Sequence, residues 1–561
     1  MFARAEETGR NLLEDTLAQG DSPVETKHRF SKSKGRRVAA VASALSAIGL
    51  ATFFCSGVGA ATVLVNGQIR YQRMDGFGSS VRMFDDPHFF DNFNPSTGRA
   101  ATVMTTAQQN QVLDKLYTDL KLTRVRPASP DTAVGFGIEP VNDNSDPNAT
   151  DLSKFNFAWK NLDAHVDYID RARTRGASTF FLSPLNRETW MGTTSANDAA
   201  EYSEWLLAQV KRSADLGVRL PFLSVANEPS YTRNAMSGEF LRDVIKILGP
   251  RLRSEGFDTK FVTTDEVRAS DAAAKAKIIL ADPEARLFVG ALATHLYDES
   301  VTNVGQMKAL AQQYGLPLWM TEFSMFAMDT AGLPQTPIAW ASLMHDLIST
   351  YDVSAVDYLW ASFGEWEGNA TALISLNNTG ATYDGLTLNK TYYITGQFSR
   401  FVEPGAQRIK AESNDAAVQT TAFVSDSELV LVATNASFLS KEITFDLSGI
   451  SAGQFRRVRT SPSENWVTLP SVAVNGSRFT ITLPPNSIET LIATVPEPTA
   501  AALLAMGSLV LLRRSMAMTL SSGQPKGYAT DQRSIRLPSM CCKPTQGRTR
   551  RSSSKSSPMF P

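Results

Sequence analysis

The sequence predicts an α/β protein: a (β/α)8 TIM barrel with a side antiparallel β-sandwich domain. Between residues 75 and 362, short apolar runs alternate with segments of helical period. The runs stay apolar until their last few residues, where polar and charged groups appear. That pattern is expected when strand C-terminal ends build a site. From Gln397 to Thr494 the period drops to two, with turn residues between the runs, as in a sandwich. Alternation alone also fits a doubly wound sheet, but no glycine-rich phosphate loop follows the first strand.

Taken in order, residues 1–60 read as an N-terminal extension and signal peptide. The basic run Lys27 to Arg37 precedes the apolar stretch Val38 to Phe54, and small residues follow near Ala60. Residues 61–74 are strand-like and are expected to join the sandwich. The barrel, 75–396, offers eight strand runs: Met74 to Ser80, Leu122 to Ala128, Ser178 to Pro184, Phe222 to Pro229, Lys260 to Val267, Leu287 to Tyr297, Pro317 to Ser324 and Ala355 to Ser362. Helical stretches between them include Ala107 to Leu120, Asn197 to Gly217, Gly238 to Gly256 and Thr302 to Gly315. The sandwich is expected over 397–494. Residues 495–515 begin "VPEPTAAALLAMGSLVLL" and end with Arg513, Arg514 and Ser515; they resemble a PEP-CTERM sorting signal. Residues 516–561 read as a basic, Ser-rich disordered tail.

Composition narrows the chemistry. At 561 residues the chain has room for a large barrel and a smaller domain. A net charge of −1 gives no bulk signal for nucleic acid or a charged membrane surface. The three cysteines, Cys55, Cys541 and Cys542, all lie in the terminal segments. Disulfides, thiolate catalysis and cysteine metal sites are therefore absent from the body. The five histidines lack metal-ligand spacing, so neither metal nor cofactor is expected.

Two runs end in a carboxylate. "FLSVANEP" carries Glu228 at the end of the fourth strand, and "PLWMTEFS" carries Glu322 at the matching place on the seventh. A pair of carboxylates at barrel strand ends can cleave a glycosidic bond, one protonating the leaving oxygen and the other attacking the anomeric carbon. Like-charge repulsion from Glu322 is expected to keep Glu228 protonated. Tyr297 and Arg124 are the candidate donors to Glu322, Asn227 is placed to hydrogen-bond a sugar hydroxyl, and His295 shares a strand face with Tyr297. Trp360, ending the eighth strand, is a candidate sugar-stacking floor.

With "DGFGSS" at the barrel entrance, Ser183, Pro184, Trp190 and Met191 after the third strand, "THLY" on the sixth and "TYYITGQFSRFVEPGAQRI" at the junction, these motifs resemble glycoside hydrolase family 30 over about residues 62–494. The resemblance implies a retaining hydrolase with Glu228 as acid/base and Glu322 as nucleophile, and adds Trp190 to the substrate-binding candidates. It is nearest the bacterial xylanase branch. Glucuronoxylan-specific members carry an arginine pair just after the eighth-strand Trp, where this chain has Gly364 and Glu365. A carboxylate there would repel a glucuronate.

The resulting expectation is an exported or envelope-associated xylanase-type endo-hydrolase, independent of glucuronate and monomeric. Its partners are a polysaccharide and, through residues 495–515, membrane-associated sorting machinery. A β-1,6-glucanase, β-1,6-galactanase or glucosylceramidase-like activity is the alternative within the class. A non-catalytic glycan-binding protein is the alternative outside it, and such a protein has no need of both carboxylates.

Overall fold

The computed structural model describes residues 61–81, 104–127, 137–158, 162–230, 235–364, 371–379 and 382–495. The expected signal peptide, nearly all of the sorting segment, the basic tail and Glu365 lie outside them. Among the described residues, no helix is long and apolar enough to cross a membrane.

The first strand, β1 (Ala61–Arg73), is followed by the eight barrel strands: β2 (Gly76–Val81), β3 (Arg124–Pro127), β4 (Thr179–Leu182), β5 (Phe222–Ser224), β6 (Lys260–Glu266), β7 (Val289–His295), β8 (Leu318–Phe323) and β9 (Ala355–Leu359). They form a closed barrel in which β2 pairs in parallel with both β3 and β9. Intervening helices, such as Ala196–Asp215 and Gly238–Ser254, start at Ser195 and Ser237, whose hydroxyls accept backbone N–H bonds and satisfy donors the first turn leaves free.

The strands are shorter than the apolar runs that mark them. β5 leaves the ladder at Ser224, four residues before the carboxylate, where sequence reading expected a strand to Pro229. Beyond Ser224 the backbone still docks on its neighbours: Asn227 N–H donates to the Pro184 carbonyl and Glu228 N–H to that of Asp265, both at 2.8 Å. Glu228 takes φ of 45°, the left-handed region, and this bend carries its side chain into the barrel mouth. The fourth strand therefore stops ahead of the acid, and Pro229 is not what ends it.

Phe181, Val262, Ala291, Ala293, Trp319 and Ala355 fill the barrel axis. The alanines leave room for Trp319, which lies edge-on to Phe222 with 5.0 Å between centroids. Gly78 fits the closest approach: a Cβ there would stand 2.3 Å from Asp357 Oδ1 and 2.4 Å from Arg124 Cβ.

After β9 come β10 (Ser362–Phe363), the hairpin β11 (Ile374–Thr379) and β12 (Thr382–Leu388), and a helix, Lys390–Ser399. The period-2 expectation from Gln397 is corrected here, since that residue lies inside the helix and the next strand, β13, starts at Gln407. The sandwich is one nine-stranded sheet folded on a common core that includes Val63, Val65, Ile409, Leu431, Phe445, Phe455, Phe479 and Leu491. Its strands after β13 are β14 (Val418–Val424), β15 (Glu428–Asn435), β16 (Lys441–Ser448), β17 (Gln454–Ser461), β18 (Glu464–Ala473), β19 (Arg478–Leu483) and β20 (Ser487–Thr494). The sheet is not wholly antiparallel: β1 runs antiparallel to β13 but parallel to β16.

Candidate active site

Arg124 and Arg126 lie two residues apart on β3, point to the same face and are fully buried. They occupy successive layers of the barrel. Arg124 is in the lower layer, where its Nε and Nη2 donate to the two oxygens of Asp357 at 2.8 and 2.9 Å. Its guanidinium lies 4.1 Å from the Trp319 ring centre. It makes no contact with Glu322, so its expected role as donor to that carboxylate is corrected.

That role falls to Arg126, which sequence reasoning passed over. Its Nη1 donates to Glu322 Oε2 at 2.8 Å and to Ser80 Oγ at 2.7 Å. Its Nη2 reaches Asp265 Oδ2 at 3.0 Å, Ser183 Oγ at 3.1 Å and the side-chain oxygen of Asn227. Asn227 is thereby oriented by a fixed charge. Tyr297 does meet Glu322, its hydroxyl donating to Oε1 at 2.9 Å.

Asp265, near the end of β6, is the second residue that was missed. It accepts from Ser224 at 2.8 Å and from Ser183 and Thr321, both at 2.5 Å, besides Arg126. His295 bridges it to the catalytic candidate beyond β5: Nε2 stands 3.2 Å from Asp265 Oδ1, and Nδ1 2.9 Å from Glu228 Oε1.

The charges sort themselves by partner. Burial opposes the charge on Asp265, but Arg126, His295 and the Ser183 hydroxyl hold its carboxyl well below the usual range. Burial also opposes the charge on His295, yet Glu322, Asp265 and Glu228 together push the imidazole up to about 10. At neutral pH it is an imidazolium, donating through Nε2 to the Asp265 carboxylate and through Nδ1 to an oxygen of the Glu228 carboxyl group. Glu322 is lowered, because His295, Arg126 and Tyr297 outweigh its burial. Glu228 is raised, first by burial and with Glu322 adding a smaller push against the pull of His295. Burial is the larger cause, where repulsion alone was expected.

Of these groups only Glu228 and Glu322 reach the mouth, at 9% and 8% exposure, while Arg126, Asp265 and His295 are fully covered. One ligand atom each from Glu228, His295 and Glu322 lie within 4.8 Å of one another, a spacing that a metal ion can bridge. Both nitrogens of His295 are already engaged by carboxylates, so the imidazole has no lone pair to offer an ion.

The two tryptophans differ in setting. Trp190 is half-buried at the rim, and its Nε1 donates to the Glu139 carbonyl at 2.7 Å. Trp360 is only 3% exposed, and its ring stacks on Phe363 at 4.2 Å. It packs beneath the mouth, with one face taken, in place of the open floor that was expected.

Residues 405–491 match the glycosyl hydrolase family 30 beta sandwich domain. A glucuronoxylanase, XynC, of Bacillus subtilis (strain 168) is 27% identical over 341 residues, spanning 57% of this chain and 75% of the relative. An endo-1,6-beta-D-glucanase, neg1, of Aspergillus fumigatus is 27% identical over 234 residues, 38% of this chain and 44% of the relative. Among solved structures, the catalytic domain of a GH30 xylanase C from Talaromyces cellulolyticus superposes with a TM-score of 0.61 at 24% identity, over 78% of this chain and all of that one. That likeness shows the fold of a barrel with a side β domain. Taken together, the matches support glycoside hydrolase family 30, and with it a glycosidase.

Proposed function

We propose that this protein is an exported retaining endo-hydrolase of β-glycosidic bonds, acting on xylan without requiring a glucuronate. The observation that carries the mechanism is the pair Glu228 and Glu322. Their facing oxygens are within 4.8 Å, near the roughly 5–5.5 Å of retaining enzymes and well short of the roughly 6.5–9.5 Å that leaves room for a water. Their environments also push them apart, with Glu228 raised and Glu322 lowered.

In the first step a Glu322 oxygen forms a bond to the anomeric carbon. The glycosidic C–O bond breaks, and the Glu228 proton passes to the leaving oxygen. In the second step water attacks the same carbon, the Glu322 ester bond breaks, and Glu228 takes up the water proton. Arg126 and Tyr297 hold Glu322 ionised and aligned for attack. His295 donates to Glu228 after the proton leaves, which suits a group that must serve as acid and then as base. Neither step calls for a metal or cofactor.

Xylan is favoured by the motifs of the bacterial xylanase branch and by the Bacillus relative, which is a glucuronoxylanase. Independence from glucuronate rests on Gly364 and Glu365, which stand in the sequence where that branch carries its arginine pair. A second reading, β-1,6-glucan, is favoured by the Aspergillus relative.

The test is product analysis by mass spectrometry after incubating the purified chain with arabinoxylan, glucuronoxylan, β-1,6-glucan and β-1,6-galactan. Proton NMR would report the first-formed anomer. Oligosaccharide ladders from both xylans, with the β-anomer appearing first, are expected. Cleavage of glucuronoxylan alone would overturn the substrate reading, and initial inversion would overturn the mechanism.

A further inference from the structure

A second cavity, about 290 Å³, lies at the other end of the barrel, against the sandwich. It is lined by Lys121, Arg400, Phe401, Glu403, Glu428 and Arg456. Lys121 precedes β3, whereas Glu228 and Glu322 stand beyond or at the C-terminal ends of their strands, so the two sites are on opposite rims. Arg400 and Phe401 follow the helix Lys390–Ser399, Glu428 opens β15, and Arg456 sits on β17.

Three cations line this space, and none forms an ion pair with a described residue. Arg400 is held in place without being neutralised. Its Nε donates to the Asp119 carbonyl at 3.1 Å, and its guanidinium plane lies 4.0 Å from the centre of Trp466 and 5.4 Å from that of Phe401. The guanidinium of Arg456 is 5.8 Å from the same Phe401 ring. Two arginines thus converge on one aromatic ring. Burial works against the charge of Arg400 and outweighs the pull of nearby Tyr392 and Asp119, with the charge of Arg456 adding to it. An incoming anion would relieve both, and a stacked guanidinium keeps its terminal N–H groups free for a bidentate carboxylate.

The rest of the lining decides which anion. Glu403 and Glu428 share the cavity but do not close onto the cations, which leaves carboxylate acceptors for hydroxyl donors. Phe401 supplies an apolar surface of the kind that packs on a sugar ring. The volume is at the small end of ligand pockets, room for a single ring. From these groups we infer that the cavity binds a hexuronate unit of an acidic glycan, with its carboxylate on Arg400, Arg456 and Lys121 and its hydroxyls on Glu403 and Glu428. The site is independent of the barrel mouth and stands even if the hydrolase reading fails.

Calorimetric titration of the full chain with D-glucuronate, D-glucose and inorganic phosphate tests it. Glucuronate should bind at least tenfold more tightly than glucose. Arg456→Gln, on the sandwich surface, should weaken glucuronate binding at least tenfold, and Lys121→Ala, in an exposed turn, should weaken it to a lesser degree. Glu322→Gln should leave it unchanged. Phe401→Ala should weaken glucuronate but not phosphate. Thermal melting of each variant checks that it folds. Glucuronate binding no tighter than glucose would overturn the proposal. So would loss of binding with Glu322→Gln in place of Arg456→Gln, which would put the ligand in the mouth. Phosphate binding as tightly as glucuronate, with Phe401→Ala indifferent, would leave a bare anion site and overturn the sugar assignment.

Discussion

The two arginines of β3 are the same residue type, on one face of one strand, equally buried, and their surroundings differ. Arg124 meets a single carboxylate in a closed bidentate pair, walled by Trp319 and Gly78. Arg126, one layer up, divides its donors among Glu322, Asp265, Asn227, Ser80 and Ser183. The lower pair satisfies itself. The upper group is balanced only as a network, Arg126 and the His295 imidazolium against Asp265 and Glu322, with Glu228 raised by its burial. A closed pair acts on folding, while a shared network acts on the protonation of whatever faces the mouth.

That contrast can be broken by mutation. Glu322→Ala should reduce kcat by about 10,000-fold or more with no loss of folding, measured on an aryl glycoside or xylan. Arg124→Met should instead cost about 3–5 kcal/mol of stability, because it strands Asp357 as a buried charge, and the double change Arg124→Met with Asp357→Leu should recover most of it in a denaturant titration. Were Arg124→Met to lower kcat in the folded protein while stability held, the lower layer would be part of the chemistry.

Arg126→Met should lower kcat by about 100- to 1,000-fold, with an upward shift in the acid limb of the pH profile as Glu322 loses its neighbouring cation. His295→Gln should cost about 100-fold. Because the imidazolium lowers both carboxyls, its removal raises both, so each limb of the kcat/KM profile should move to higher pH. An unmoved alkaline limb would mean that His295 does not act on Glu228.

The smallest effect is on thermal stability against pH. His295 is raised to about 10 in the fold, so its contribution is whole below its unfolded value near 6.5 and fades as pH climbs toward 10. Asp265 is depressed, so its contribution is present above about 4 and is lost as pH falls further. Buried Glu139 and Glu204, raised by burial to about 8 and about 7, contribute fully only below their unfolded value of about 4.3 and lose that contribution as pH climbs toward 7 and 8. Melting temperature should therefore be highest at about pH 4 to 5 and decline steadily as pH rises above it, as read by scanning calorimetry.

Much of this was legible in the sequence, and the gaps have physical causes. Eight alternations and a period change announce a barrel and a sandwich, because burial on two faces or on one dictates those patterns. Glu228 and Glu322 are conspicuous because a carboxylate ends each apolar run. The run of β6 ends the same way, in Asp265 and Glu266, and that signal went unused. The choice between Arg124 and Arg126 is not decided by period-2 reasoning, which puts both on one face and says nothing of depth. Pro127 closes β3, so the arginine beside it is the one nearer the mouth. Trp360 was misplaced because an aromatic at a strand end looks alike whether a sugar or Phe363 covers it.

The position of β1 has a consequence for how the molecule is made. This strand leads directly into the barrel, yet its hydrogen-bond partners are β13 and β16, and Thr62 N–H donates to Asn414, 352 residues away. The inner strand of the sandwich therefore lacks its partners until the whole barrel, and then β13 to β16, have been synthesised. Contacts of such separation close slowly, so a chain stopped anywhere within the barrel carries β1 as an unpaired apolar edge. The first strand fastens the last domain like a buckle, and a fragment beginning at β2 would leave β13 and β16 with nothing between them.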